Sequence, residues 1–300
     1  MPCYSPLKGF VNTESGGIVF KRGSNAGANM EVACGQCLGC RLDKSKEWAM
    51  RIVHESSLHD ENCFLTLTYD DEHVPADGSL NKKHFQDFMK RLRWRYPEKK
   101  IRYYQCGEYG EKYGRPHYHA CMFGIDFNDA EVIAEVRPGQ ILRSSPALEQ
   151  LWPFGFNTIG SLTYESAAYC SRYVLKKVNG KQAEDHYMRV DDYGICYWVE
   201  PEYTTMSRRP GIGKGWFEKY GGDVFPSDEV PVPGKGILKG VPRYYDELLR
   251  LENEDTYEEV KEARKQYYFS HPGEFLPARL EAKYKVRKAG LELFTRRDLE

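Results

Sequence analysis

The chain has 300 residues, 41% hydrophobic and 29% charged, which suffices for one large globular domain or two small ones with a real core. No run approaches the roughly 20 apolar residues of a membrane span, and Met1-Pro2-Cys3-Tyr4-Ser5 lacks the layout of a signal peptide, so a cytoplasm is the expected location and no membrane partner is expected. The formal charge of −1 does not advertise a nucleic-acid binder, but it hides segregation: Lys82–Arg102 carries nine Lys/Arg against two Asp/Glu, and Asp246–Glu262 eight acids against two bases.

Residues 1–33 are rich in Gly, Asn and Ser without periodicity and are expected to be irregular, apart from a short strand at Gly17–Lys21. Next comes Cys34-Gly-Gln-Cys37-Leu-Gly-Cys40. Nine cysteines, an odd number and mostly scattered, argue against a disulfide framework. Three thiolates at this spacing form most of a tetrahedral site for a structural Zn²⁺, with Cys3 the first choice as fourth ligand; three free thiols in a loop is the competing reading. The periodicity predicts a helix over Arg41–His59 and a strand, buried on both faces, over Asn62–Tyr69. A helix is expected from about Asn81 to Tyr96, capped by Ser79 or Asn81. Its inward face is Phe85, Phe88, Met89 and Leu92, and its basic face (Lys82, Lys83, Lys90, Arg91, Arg93, Arg95) is a candidate phosphate-facing surface, to which Arg115 is added.

Ile101–Cys106 reads as a strand ending in Gly107-Glu108-Tyr109-Gly110, and a turn with Arg115-Pro116 leads into a second strand over 117–123. The period of two places His117 and His119 on one face, able to share a metal ion with a carboxylate from the neighbouring strand. Further on, a helical patch near Asp129–Val136, a short helix at Pro146–Trp152 and a strand at Phe156–Leu162 are expected. A helix from Ser166 then aligns Tyr169, Tyr173 and Lys176 or Lys177 on one face. Val190–Glu200 suggests a hairpin, Gly221–Pro242 a long irregular connection, and Tyr244–Phe269 with Glu274–Arg297 two charged helices.

The conjunction of histidines and tyrosines points to one chemistry. A phenol, with an ordinary pKa of about 10, needs a strongly activated electrophile and a product worth keeping covalent. A DNA phosphodiester polarised by a divalent metal meets both needs, with a tyrosine attacking phosphorus and a lysine adding positive charge. Two histidines and a carboxylate also form the facial triad of non-haem iron oxygenases, and a zinc-clamped single-strand binder is a non-enzymatic alternative.

Gly-Arg-Pro-His117-Tyr-His119, Gly107-Glu108-Tyr-Gly110, Phe64-Leu-Thr-Leu-Thr-Tyr69 and Tyr169-x-x-x-Tyr173-x-x-Lys176 together resemble the three motifs of the HUH endonucleases that initiate rolling-circle replication. More narrowly, Cys-Gly-Gln-Cys-Leu-Gly-Cys-Arg at 34–41 and Met206-Ser-Arg-Arg-Pro-Gly-Ile-Gly213 resemble the replication initiators of gokushoviruses, over most of the chain to about Leu249. The resemblance implies an α+β fold with a central antiparallel sheet flanked by helices and the histidines on a central strand. It also implies Mg²⁺ or Mn²⁺ as metal and paired tyrosines that nick an origin in single-stranded DNA, hold the 5′ end and later release a circle. A relaxase or transposase of the same chemistry is the near alternative. For the third ligand Glu108 matches best and Glu111 competes; Lys176 is favoured over Lys177. The expected organisation is a cysteine-rich segment with its helix (1–60), a nuclease core (61–215) and a charged helical C-terminal region (216–300), acting in a bacterial host's cytoplasm with that host's helicase and polymerase.

Overall fold

The N-terminal residues, expected to be irregular apart from a short strand at Gly17–Lys21, form a three-stranded antiparallel sheet of β1 (Leu7–Asn12), β2 (Ile18–Val19, within that expected strand) and β3 (Ala26–Val32), with β1 in the middle. Almost all of its side chains stay exposed or half-buried, which is why no hydrophobic alternation announces it. The structure, a computed structural model, describes residues 3–297 except 111–113, 173–176, 179, 181 and 192. Tyr173, Lys176 and Glu111 therefore lie outside the described residues. The chain divides into two units, residues 1–44 with 255–300 and residues 45–254.

Helix α1 (Leu38–Ser56) begins inside the cysteine motif, three residues before the expected start. The larger unit is built on a seven-stranded sheet, antiparallel at every pairing. Its first strand, β4 (Asn62–Thr68), is followed by α2 (Lys82–Arg95), whose cap is Asn81: the side chain accepts from the Lys83 amide. Next come β5 (Arg102–Tyr109), β6 (Pro116–Phe123), β7 (Glu131–Arg137) and β8 (Gln140–Ser144). Here the expected helical patch near Asp129–Val136 is corrected to a strand. Pro138-Gly139, with Gly139 at φ 79°, turns the chain back so that β7 pairs with β8.

Helix α3 (Pro146–Leu151), β9 (Asn157–Gly160), α4 (Tyr164–Arg172), α5 (Gln182–Tyr187) and the small hairpin β10 (Met188–Val190) with β11 (Cys196–Trp198) precede β12 (Tyr203–Met206). The sheet order is β12-β5-β6-β4-β9-β8-β7. The stretch expected to be a long irregular connection instead holds the end of α6 (Lys214–Val224) and a hairpin of β13 (Glu229–Val232) and β14 (Gly236–Lys239). Two helices were expected after Tyr244. The first is broken at Asn253 into α7 (Arg243–Glu252) and α8 (Glu254–Ser270), and α9 (Pro277–Arg297) follows a single 3₁₀ turn.

One face of the sheet carries the main core. Cys63, Leu65 and Leu67 of β4 and Tyr118, Ala120 and Met122 of β6 pack with Phe85, Phe88, Met89 and Leu92 of α2 and with Leu148, Leu151 and Trp152. The other face of β4, expected to be equally buried, is only half-buried: Phe64, Thr66 and Thr68 line it. Helix α4 lies over that second face, against β5 and β6.

Candidate metal and nucleophile site

Register assembles the site. On β6, His117 stands opposite Glu108 of β5 on one side and Thr68 of β4 on the other; His119 stands opposite Cys106 and Thr66. The period of two sends these side chains to the face away from the main core. Glu108 was expected at the end of its strand, but β5 continues through Tyr109, so the carboxylate is fixed within the sheet.

The three groups converge. Glu108 Oε1 lies 2.7 Å from His117 Nε2 and 3.1 Å from His119 Nε2, and one ligand atom from each residue falls within 4.8 Å of the others. Glu108 is 2% exposed. That burial raises its pKa, but hydrogen bonds and charge from the two imidazoles outweigh it and hold the carboxyl below its ordinary range. His117 Nδ1 donates to the Arg115 carbonyl at 3.1 Å, so in the neutral ring Nε2 carries the lone pair and faces the carboxylate. Two acceptors so close require a proton or a cation between them. His119 is oriented in the same manner by Thr66, whose Oγ1 lies 3.0 Å from Nδ1, and its ring stacks on Phe64 at 5.6 Å between centroids.

Tyr169 reaches the site from α4. Thr163 and Ser166 cap the helix reciprocally, each side-chain oxygen accepting from the other's amide. Small buried residues let α4 lie close on the sheet. Ala167, Cys170 and Ser171 are all fully buried; Cys170 Sγ is 3.5 Å from Cys106 Sγ, and Ser171 Oγ is 3.0 Å from Ser45 Oγ on α1. The Tyr169 ring, 37% exposed, stands edge-on to the His119 ring at 5.0 Å between centroids.

The candidate residues do not all meet here. Glu108, His117, His119 and Tyr169 do, and Lys177 is exposed after α4. The basic residues of α2 lie over the opposite face of the sheet, and much of their hydrogen bonding is internal. Lys90 pairs with Asp87 at 3.0 Å, Arg91 donates to the Leu151 carbonyl, Arg93 to that of Ile101, and Arg95 to Gln150. Arg115 donates to the Tyr69 carbonyl and pairs with Asp71. In the other unit Cys3, Cys34, Cys37 and Cys40 come together, with all four sulfurs within 4.8 Å of one another. Sequence reasoning quoted the Phe64–Tyr69 stretch without giving Thr66 a role. The signal was present: Thr66 shares a strand face with Phe64 and Thr68, opposite the apolar Leu65 and Leu67.

Residues 62–178, which run from β4 to beyond α4, match the family described as replication-associated protein ORF2/G2P. The chain is 34% identical over 268 residues to the replication-associated protein VP4 of Bdellovibrio phage phiMH2K, covering 86% of this chain and 80% of that one. It is 35% identical over 288 residues to the replication-associated protein ORF2 of Spiroplasma virus 4 (88% and 86%), and 32% identical over 235 residues to the replication-associated protein ORF4 of Chlamydia phage 1 (75% and 55%). No solved structure matches the chain. The chain thus belongs to the replication-associated proteins of microviruses, as a replication initiator of the gokushovirus type.

Proposed function

We propose that this initiator is a metal-dependent endonuclease that nicks single-stranded DNA at a phage origin and holds the 5′ end as a phosphotyrosine. The observation that carries the reading is the position of Tyr169, beside a histidine that shares one carboxylate oxygen with a second histidine. Glu108, His117 and His119 fit a divalent cation, because both imidazoles turn an Nε2 toward Glu108. Of Mg²⁺ and Mn²⁺, a donor set of two nitrogens and one carboxylate suits Mn²⁺ better. When bound, the cation would neutralise charge on the scissile phosphate and polarise it.

The protein's own groups do the rest. Glu108 and the imidazoles set the site's charge, while the backbone carbonyl of Arg115 and the hydroxyl of Thr66 fix the two ring orientations. Tyr169 Oη attacks phosphorus, loses its proton and forms the new P–O bond as the bond to the 3′ oxygen breaks. The departing 3′ oxygen takes up a proton. One phosphodiester replaces another, so the link can be reversed without ATP. Tyr173, four residues further in the sequence, is assigned the second cleavage, and Lys176 the added positive charge. The initiator would act in the host cell; no helix among the described residues is long and apolar enough to cross a membrane.

The test is incubation of the full chain with a labelled origin oligonucleotide and Mn²⁺, followed by denaturing electrophoresis and peptide mapping. A covalent adduct on Tyr169 or Tyr173, lost in the double phenylalanine variant and in Glu108→Gln, is expected. Cleavage without an adduct, or an adduct on any other residue, refutes the proposal.

A further inference from the structure

Outside the nuclease site, the unit formed by residues 1–44 and 255–300 contains a second cluster of metal-binding chemistry, and it differs in kind from the first. We infer that Cys3, Cys34, Cys37 and Cys40 bind one zinc ion that staples the two open ends of the N-terminal sheet. This inference is independent of the nuclease reading.

Geometry comes first. Four thiolates around zinc at about 2.3 Å form a tetrahedron with edges of roughly 3.8 Å. Cys3 Sγ and Cys37 Sγ are 3.7 Å apart, and all four sulfurs lie within 4.8 Å of one another, so small side-chain rotations close the set. Backbone amides already point at the sulfurs. Cys34 N donates to Cys3 Sγ at 3.2 Å, Cys37 N to Cys34 Sγ at 3.2 Å, and Tyr4 N to Cys37 Sγ at 3.3 Å. Such outer donors stabilise negative charge on sulfur and fix each ligand's direction. Gly35, at φ 72°, makes the turn that aims the Cys37 amide back at Cys34, while Cys40 is carried by the first turn of α1. The soft, all-sulfur donor set selects zinc over Mg²⁺ or Mn²⁺.

The fold supplies the reason for a staple. In β1, β2 and β3 only Gly9 is buried. A three-stranded sheet that buries so little is marginal in water, and small elements with little core are usually held by a metal or by disulfides. Leu7 pairs with Val32, so the chain enters and leaves the sheet at the same end. Cys3 precedes that end and Cys34 follows it. One ion bound to both, and to the start of α1, closes the sheet where its hydrogen-bond ladder would otherwise fray.

The test uses the full chain, purified under reducing conditions and dialysed against Mn²⁺ buffer. Elemental analysis should give about one zinc per chain, and cobalt exchange should give the intense visible bands of a tetrahedral thiolate site. Cys3→Ser with Cys34→Ser should lose the zinc, whereas Cys196→Ser, at an exposed cysteine, should keep it. Zinc removal should open residues 3–40 to protease and leave residues 45–254 resistant. Absence of zinc from the wild-type chain, iron in its place, a six-coordinate cobalt spectrum, disulfide-linked peptides among these four cysteines, or zinc retained by the double variant would each overturn the inference.

Discussion

Replacing Thr66 by valine isolates one contact in the proposed metal site. Both residues are β-branched and suit a strand, so the backbone and the van der Waals shape are kept and only the hydroxyl goes. That hydroxyl lies 3.0 Å from Nδ1 of His119, a residue 5% exposed, and fixes which ring nitrogen faces Glu108. Loss of an outer hydrogen bond to a metal-bound imidazole typically lowers affinity about 10–100-fold, equivalent to roughly 1.4–2.7 kcal/mol. Stability should fall by only about 1 kcal/mol, the usual worth of one hydrogen bond. Titration with Mn²⁺ should therefore show weakened binding in Thr66→Val and near-normal binding in Thr66→Ser. Adduct formation at saturating Mn²⁺ should largely recover. Equal Mn²⁺ affinity in wild type and Thr66→Val would refute the orienting role, and equal weakness in the serine variant would trace the effect to packing instead.

Two further outcomes test the surrounding structure. His54, 0% exposed, donates from Nε2 to the Pro231 carbonyl at 2.9 Å and accepts at Nδ1 from the Tyr245 hydroxyl at 2.8 Å, and burial pushes its pKa down to about 4. Between the ordinary pKa of about 6.5 and this lowered value, the unfolded chain binds a proton that the folded chain does not. Stability should thus fall with acid across that window, by about 3 kcal/mol in all, and urea unfolding followed by tryptophan fluorescence should show a much flatter pH profile in His54→Gln. A wild-type profile no steeper than the variant's would contradict it. At the contact between α4 and the sheet, Cys170→Leu should overpack against Cys106 at a cost of about 1–3 kcal/mol and slow adduct formation while Mn²⁺ affinity holds; an unchanged adduct rate would show that this contact does not position Tyr169.

What could be read from the sequence followed local rules. The alternation across His117-Tyr118-His119 gave the correct face, Asn81 caps α2, and the four apolar residues of α2 face the core. What could not be read depended on partners remote in sequence. Residues 129–136 contain good helix formers, yet they pair with β8 because Pro138-Gly139 reverses the chain. Pro233-Gly234, with Gly234 at φ 75° and the Lys235 amide bonded to the Val232 carbonyl at 3.0 Å, reverses β13 into β14 in the same way. Both Pro-Gly pairs were visible signals, outweighed by composition. In the N-terminal sheet only β2, expected at Gly17–Lys21, was legible; β1 and β3 carried no comparable signal, since almost none of their side chains are buried. Thr66 and the Ser45–Ser171 pair needed the register and the helix docking before either acquired a role.

The division of labour between the two faces of β4 and β6 bears on how DNA would be held. Helix α2, with its run of basic residues, covers the face that carries the main core, so its charge is separated by the sheet from the imidazoles. On the opposite face, the carboxylate and the two imidazoles, in the neutral form that ligation requires, would together contribute a net charge of about −1. Such a site repels a phosphate. A divalent cation reverses the sign, so the proposed order is metal before DNA, with the basic α2 surface able at most to attract the strand from a distance. Competition should reveal this order: DNA binding near Tyr169 should strengthen with Mn²⁺, whereas any contact with α2 should weaken with salt and ignore the metal.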